Sequence, residues 1–172
     1  MNAQIKEMLN AFEKGNFQKS YILALELSSS KFFDIKYKIL SFSSFKLSKF
    51  KDTINYCEAY LKKTRDNDLQ ILKTLTSSYL NINNFEKTIL YGEKIVMRLL
   101  DKSGFDFNLG PEDTKTLEGI RVALARLESN EDLFTKATEG IVFTHNNKTY
   151  KLTGLFTPIN RLRGFFRSAI LE

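Results

Sequence analysis

Residue types that could carry out covalent or acid–base chemistry are few and scattered in this chain. It has one cysteine, Cys57, and one histidine, His145, and neither lies in a pattern that pairs a nucleophile with a base. The acidic pairs Glu112-Asp113 and Glu131-Asp132 fit helix N-termini, where carboxylates oppose the helix dipole. The sequence shows neither a glycine-rich phosphate loop nor a cluster at metal-ligand spacing. We therefore expect a protein that is not an enzyme and that needs no cofactor and no metal ion.

A recurring aromatic residue organises the first hundred residues. Phe17, Phe50 and Phe85 lie 33 and 35 residues apart, and each follows a short turn between two segments of helical apolar periodicity. A small residue lets two helix backbones approach closely, while the aromatic ring fills the space where they diverge. Such a residue stands three places after each aromatic: Ser20, Thr53 and Thr88. Self-similarity near this period is typical of stacked helical hairpins, which act in binding.

Over about residues 1–102 the pattern resembles the tetratricopeptide repeat. Two sets fit that family's first-helix pattern: Tyr37, Leu40, Ser41 and Ser44, then Leu72, Leu75, Thr76 and Tyr79. Two sets fit its second-helix pattern: Thr53, Cys57 and Leu61, then Thr88, Gly92 and Val96. Repeat one departs from the family, because Gln4 and Glu7 occupy its core positions. The resemblance implies a mainly α fold, a right-handed α–α superhelix of helical hairpins. A non-repeating helical bundle is the alternative.

In this family the first helices line a concave groove that binds a peptide. Carried over position by position, the resemblance assigns the groove to Lys38, Phe42, Phe45 and Lys46 of repeat two and to Lys73, Ser77, Leu80 and Asn81 of repeat three. Lys38 and Lys73 are equivalent, and we expect both to be exposed. Ammonium groups beside apolar side chains suit a partner protein or peptide with acidic and apolar residues. Ile5 and Leu9 stand where the family's chaperone-tail clamp needs polar groups, so that ligand is not expected.

Residues 103–172 form a second region with other signals. Pro111 followed by two acidic residues predicts a helix start, and a short helix is expected at 131–139. Apolar alternation predicts a β-hairpin at about 141–155, with Phe143 opposite Tyr150. Thr157-Pro158 predicts a terminal amphipathic helix over 158–172. That helix could cap the repeats, fill the groove or contact a membrane surface.

The net charge of +6 is unevenly spread: +6 over residues 1–100, −4 over 101–139 and +4 over 140–172. Nucleic-acid binding is not expected, because such surfaces carry denser Lys/Arg clusters. Neither a signal peptide nor a membrane-spanning stretch is visible, so we expect a cytoplasmic protein. The leading hypothesis is an interaction adaptor that binds a peptide in its groove. The alternatives are a dedicated chaperone for a secreted or assembled client, the non-catalytic repeat portion of a larger enzyme, and a basic membrane or nucleic-acid surface binder.

Overall fold

The computed structural model describes residues 3–28, 32–64, 68–103, 111–126, 141–145, 148–152 and 170–171. These residues are mainly helical, which confirms the predicted fold class at that level. The helices are α1 (Ala3–Glu13), α2 (Phe17–Glu26), α3 (Phe33–Lys46), α4 (Phe50–Thr64), α5 (Leu69–Asn81), α6 (Phe85–Ser103) and α7 (Pro111–Arg126). The strands are β1 (Ile141–His145), β2 (Lys148–Leu152) and β3 (Ile170–Leu171). The helix predicted at 131–139 and the turn at 146–147 lie outside the described residues.

The chain divides into two compact units, Met1–Ile82 and Asn83–Glu172. The first unit contains α1 to α5, and the second contains α6, α7 and the three strands. The division falls inside the predicted third hairpin, since α5 belongs to the first unit and α6 to the second.

In the first unit each helix packs against the next one along the chain, and α3 also contacts both α1 and α5. The buried residues of α1 are Ile5, Met8 and Ala11, which recur every third position and therefore lie on one side of the helix. Ile5 and Met8 share an apolar core with Tyr21 of α2 and Leu40 of α3. Because these side chains are buried together, they hold the first hairpin against α3, the helix that begins the second hairpin.

The turns that close α1, α3 and α5 each contain one residue with left-handed backbone. These residues are Gly15 (φ 74°), Ser48 (φ 58°) and Asn83 (φ 59°). Each stands two places before one of the recurring phenylalanines. A serine or asparagine in this conformation carries a backbone cost that glycine avoids. The chain therefore bends in the same way at the same place in each repeat window.

The hydrogen bonds that end α1 and α3 are also the same. After α1, the Gly15 N–H donates to the Phe12 carbonyl and the Asn16 N–H to the Ala11 carbonyl, both at 2.9 Å. This nested pair of bonds is the Schellman arrangement, which satisfies carbonyls at a helix C-terminus. The corresponding bonds after α3 run from Ser48 to Phe45 (3.0 Å) and from Lys49 to Ser44 (2.9 Å).

The small residues that follow the recurring phenylalanines are buried, as predicted. Ser20, Thr53 and Thr88 are each 0% exposed. The Ser20 hydroxyl donates to the Met8 carbonyl on the preceding helix at 3.2 Å. The Thr53 and Ser44 hydroxyl oxygens lie 2.8 Å apart. In both hairpins a hydroxyl at this position links the second helix to the first, which is possible only because the helices are close together.

In the second unit, α6 packs against α7 through a glycine. A Cβ atom added to Gly92 would lie 2.7 Å from side-chain carbons of Ile120, so a larger residue could not fit without movement. Ile120 is 1% exposed. The helix that carries it begins at Pro111, as the sequence predicts. The absence of a side chain at position 92 thus lets α6 and α7 approach each other closely.

The strands form an antiparallel sheet in the order β1-β2-β3. Ile141 is opposite Leu152 and Phe143 is opposite Tyr150. The predicted terminal helix is wrong at its end, because Ile170 belongs to β3 and pairs with Lys151. Isoleucine suits a strand as well as an apolar helix face, and pairing with β2 overrides the local helical spacing. The remaining residues of that predicted helix, 158–169 and 172, lie outside the described residues.

Candidate functional site

The residues predicted to bind a partner lie on two helices that contact each other, α3 and α5. Within each helix their spacing follows the helical repeat, which places them along one side. We call these eight residues the α3–α5 face: Lys38, Phe42, Phe45 and Lys46 on α3, and Lys73, Ser77, Leu80 and Asn81 on α5.

Exposure varies along the α3–α5 face, and Lys73 departs from what we expected. Lys73 is only 9% exposed, so the expectation that both equivalent lysines are exposed is wrong. The equivalent residue of α1, Ile5, is 1% exposed. At the positions of Ile5 and Lys73 the side chain is therefore covered by packed neighbours, and the aliphatic stem of a lysine can be accommodated in such surroundings. The other members are exposed (Lys46, Asn81) or half-buried (Lys38, Phe42, Phe45, Ser77, Leu80).

Lys38 is held by an ion pair that sequence reasoning did not identify. Its Nζ lies 2.6 Å from Asp68 Oδ2, and the two side chains are 40% and 16% exposed. The same Nζ lies 5.4 Å from the ring centroid of Tyr60 on α4. The hydrogen bond with Asp68 raises the pKa of Lys38 by more than its partial burial lowers it. The ammonium group is therefore fixed at the junction of α3, α4 and the start of α5.

Asp68 is also the N-cap of α5. Its Oδ1 accepts hydrogen bonds from the Gln70 N–H (3.0 Å) and the Ile71 N–H (3.2 Å). Burial alone would raise the pKa of Asp68, but the hydrogen bonds from Lys38 and these two N–H groups outweigh it and lower the pKa. An aspartate directly before an apolar helix is a recognised N-cap signal. The sequence could therefore have revealed the cap, although not the ion pair.

The aromatic members of the face are partly engaged with rings of the same unit. Phe42 lies 6.3 Å from Phe12 of α1, measured between ring centroids. Phe45 meets Phe50 edge-on at 5.8 Å, and Phe12 meets Phe17 in the same way at 5.5 Å. Each of these edge-on pairs spans one of the recurring turns. Since Phe42 and Phe45 stay half-buried, they combine support from neighbouring rings with apolar surface that a partner could cover.

A second polar cluster, between α2 and α4, was also missed. The Tyr21 hydroxyl donates to Asp52 Oδ2 at 3.4 Å and lies 3.1 Å from the Tyr56 hydroxyl. Lys49 Nζ lies 4.5 Å from the centroid of the Tyr21 ring. Burial raises the pKa of Tyr21, and the hydrogen bond with Tyr56 raises it further. Tyr21 lies 31 positions from Asp52 and 35 positions from Tyr56 along the chain, so no local pattern signals these hydrogen bonds.

The one cysteine of the chain lies on α4. Cys57 is 0% exposed, and burial raises the pKa of its thiol to about 12. At neutral pH it is therefore protonated, whereas a nucleophilic cysteine needs its thiolate. No three His, Cys, Asp or Glu side chains in the described part of the chain are grouped so that they could hold a metal ion. Of the helices described, none combines the length and the apolar character needed to cross a membrane.

Comparison with known proteins adds no assignment: no protein-family model, curated protein or solved structure matches this chain. The resemblance to the tetratricopeptide repeat therefore stays a prediction that rests on the residues themselves.

Proposed function

We propose that this protein is a cytoplasmic interaction adaptor, and that its α3–α5 face binds a peptide segment of a partner protein. One observation carries the proposal. The first helices of the hairpins, α1, α3 and α5, lie side by side, since α3 contacts both of the others. Most members of the face remain half-buried or exposed on these helices. A row of packed helices offers a rigid surface, which lowers the entropic cost of binding an extended segment.

The chemistry of the face supports a partner with acidic and apolar residues. Phe42, Phe45 and Leu80 provide half-buried apolar surface of the kind that anchors large side chains. Lys46 adds an exposed positive charge, and Lys38 adds a second ammonium group that is 40% exposed. Lys73 is too buried to be a primary contact. The positive charge of the face therefore comes from Lys38 and Lys46, and not from the predicted pair of Lys38 and Lys73.

The finer architecture is part of the same proposal. Left-handed residues recur at equivalent positions in three turns, and small buried residues follow each turn. Both features are expected of a right-handed superhelix of tetratricopeptide-like hairpins, in which every hairpin repeats one packing geometry. They support that architecture, and with it a concave binding surface, over a bundle of unrelated helices.

Selection of peptides followed by a charge reversal tests the proposal. The full chain is used to select binders from a random displayed peptide library, and their affinities are then measured by fluorescence anisotropy. We expect acidic residues and large apolar residues to be enriched. Lys46→Glu should weaken binding about tenfold, because a carboxylate on the peptide would then meet a like charge.

Lys62→Glu is the matched control, because Lys62 is also an exposed lysine in the last turn of a helix, α4. It should leave the affinity within about twofold, since it lies outside the α3–α5 face. Equal losses in the two variants, or a selection that yields no binder, would overturn the proposed function.

A further inference from the structure

Asp68 uses its two carboxylate oxygens for two different tasks. Oδ1 caps α5 by accepting from the Gln70 and Ile71 N–H groups, while Oδ2 lies 2.6 Å from Lys38 Nζ. The cap is local to α5, whereas the ion pair joins the start of α5 to the middle of α3. A single substitution can therefore remove one task and preserve the other.

The ion pair is asymmetric in its exposure. The Lys38 side chain is 40% exposed, but that of Asp68 is only 16% exposed. Water, and thus a ligand, reaches the ammonium group more easily than the carboxylate. The positive end of the pair belongs to the α3–α5 face, and a carboxylate from the same chain already occupies one of its bonding directions.

We propose that Asp68 is an internal competitor for the partner's acidic group at Lys38, and so sets the affinity of the α3–α5 face for acidic peptides. This inference rests on the proposed function. While Asp68 is paired, its negative charge offsets the ammonium group and repels a second carboxylate nearby. A partner must either displace Oδ2 or share Lys38 with it. Only a segment whose acidic residue is placed at Lys38 gains enough to do so, which adds selectivity.

Asp68→Asn separates the competition from the cap. Asparagine keeps an oxygen at the Oδ1 position and is among the best N-cap residues. Its amide group carries no charge and cannot pair with an ammonium group as Oδ2 does. Asp68→Ser is a second variant with the same logic, because serine also caps helices well. Circular dichroism melting of both variants checks that the helices are retained.

The probe is the tightest acidic peptide from the library selection, compared with a counterpart in which every Asp and Glu is replaced by Asn or Gln. With the full chain, we expect Asp68→Asn to bind the acidic peptide at least about fivefold more tightly than the unaltered protein. The neutral counterpart should show no gain. Adding Lys38→Met to Asp68→Asn should abolish the gain, since the released ammonium group is then absent.

A reactivity measurement provides a second, peptide-independent readout. Acylation of Lys38 by an amine-specific reagent, followed by mass spectrometry, should be faster in both Asp68 variants than in the unaltered protein. If peptides bind but neither variant tightens binding of the acidic one, the competition is overturned and the proposed function stands. If the library selection yields no binder, both are overturned.

Discussion

The first two hairpins, α1–α2 and α3–α4, are closed by the same turn, but their first helices carry different residues at one equivalent position. Both turns have a left-handed residue, the same nested hydrogen bonds and an edge-on pair of phenylalanines. Ten residues before the left-handed residue, however, α1 has Ile5 and α3 has Lys38. Ile5 is 1% exposed in the core, whereas Lys38 is half-buried and paired with Asp68. A shared backbone geometry thus leaves the role of an individual position open.

This difference shows that the conformation of the turn and the exposure of positions on the first helix depend on different residues. The turn needs a residue that tolerates left-handed backbone and a small residue on the next helix. Those requirements are met by Gly15 with Ser20 and by Ser48 with Thr53. The face depends instead on which neighbour covers each position. Two hairpins with the same turn can therefore differ at this position, with a buried core residue in the first and a half-buried, ion-paired residue in the second.

The largest expected effect comes from truncating the two equivalent positions. Ile5→Ala should lower the free energy of unfolding by about 2–5 kcal/mol, because it leaves a cavity in the core shared by α1, α2 and α3. Lys38→Ala should cost about 1 kcal/mol or less, since it removes a half-exposed ion pair. Urea denaturation followed by circular dichroism measures both.

Asn10→Ala is the control for truncation on α1, because Asn10 is exposed on the same helix. It should change the stability by less than about 0.5 kcal/mol. If Lys38→Ala destabilised the protein as much as Ile5→Ala, the two positions would both be structural. The contrast between the hairpins would then be lost.

The second prediction changes the left-handed residue in each of the two turns. Gly15→Ala should cost about 1 kcal/mol from the left-handed backbone alone, because an added Cβ would meet nothing within 4 Å. Ser48→Gly should relieve the same strain and stabilise the protein by up to about 1 kcal/mol, less the added freedom of the unfolded chain. Shifts of opposite sign in the urea midpoint are the expected signature. Shifts of the same sign would show that the turns are not equivalent.

Structural features that depend on residues close together in the sequence could be predicted, whereas those that depend on distant residues could not. Turn positions and small buried residues such as Thr53 and Gly92 were predictable, because steric needs at a tight helix contact restrict the residue types nearby. The burial of Lys73 was not, because it depends on which neighbours cover the position. The partner of Lys38 was not predictable either, since the pattern places both lysines on the face without specifying their contacts.

The smallest expected effect is the pH dependence that the Lys38–Asp68 pair gives to the second hairpin. The pKa of Asp68 is lowered from 3.8 on folding, so its stabilisation is present above that value and is lost as the pH falls through the lower folded value. The pKa of Lys38 is raised from 10.5, so its stabilisation is present below that value and is lost as the pH rises through the higher folded value. Because Lys38 is 40% exposed, solvent screening limits the effect to about 1 kcal/mol or less.

Asp68→Asn isolates this contribution, because it keeps the cap and removes the charge. The difference in unfolding free energy between the unaltered protein and this variant should be constant from pH 5 to pH 9. It should shrink below about pH 4 and in about 1 M salt. Asp34→Asn, at an exposed aspartate in the first turn of α3, reports the interaction of a carboxylate with a helix N-terminus alone. If both variants gave the same profile, the carboxylate of Asp68 would act only on its own helix, and the two hairpins would differ in core packing rather than in charge.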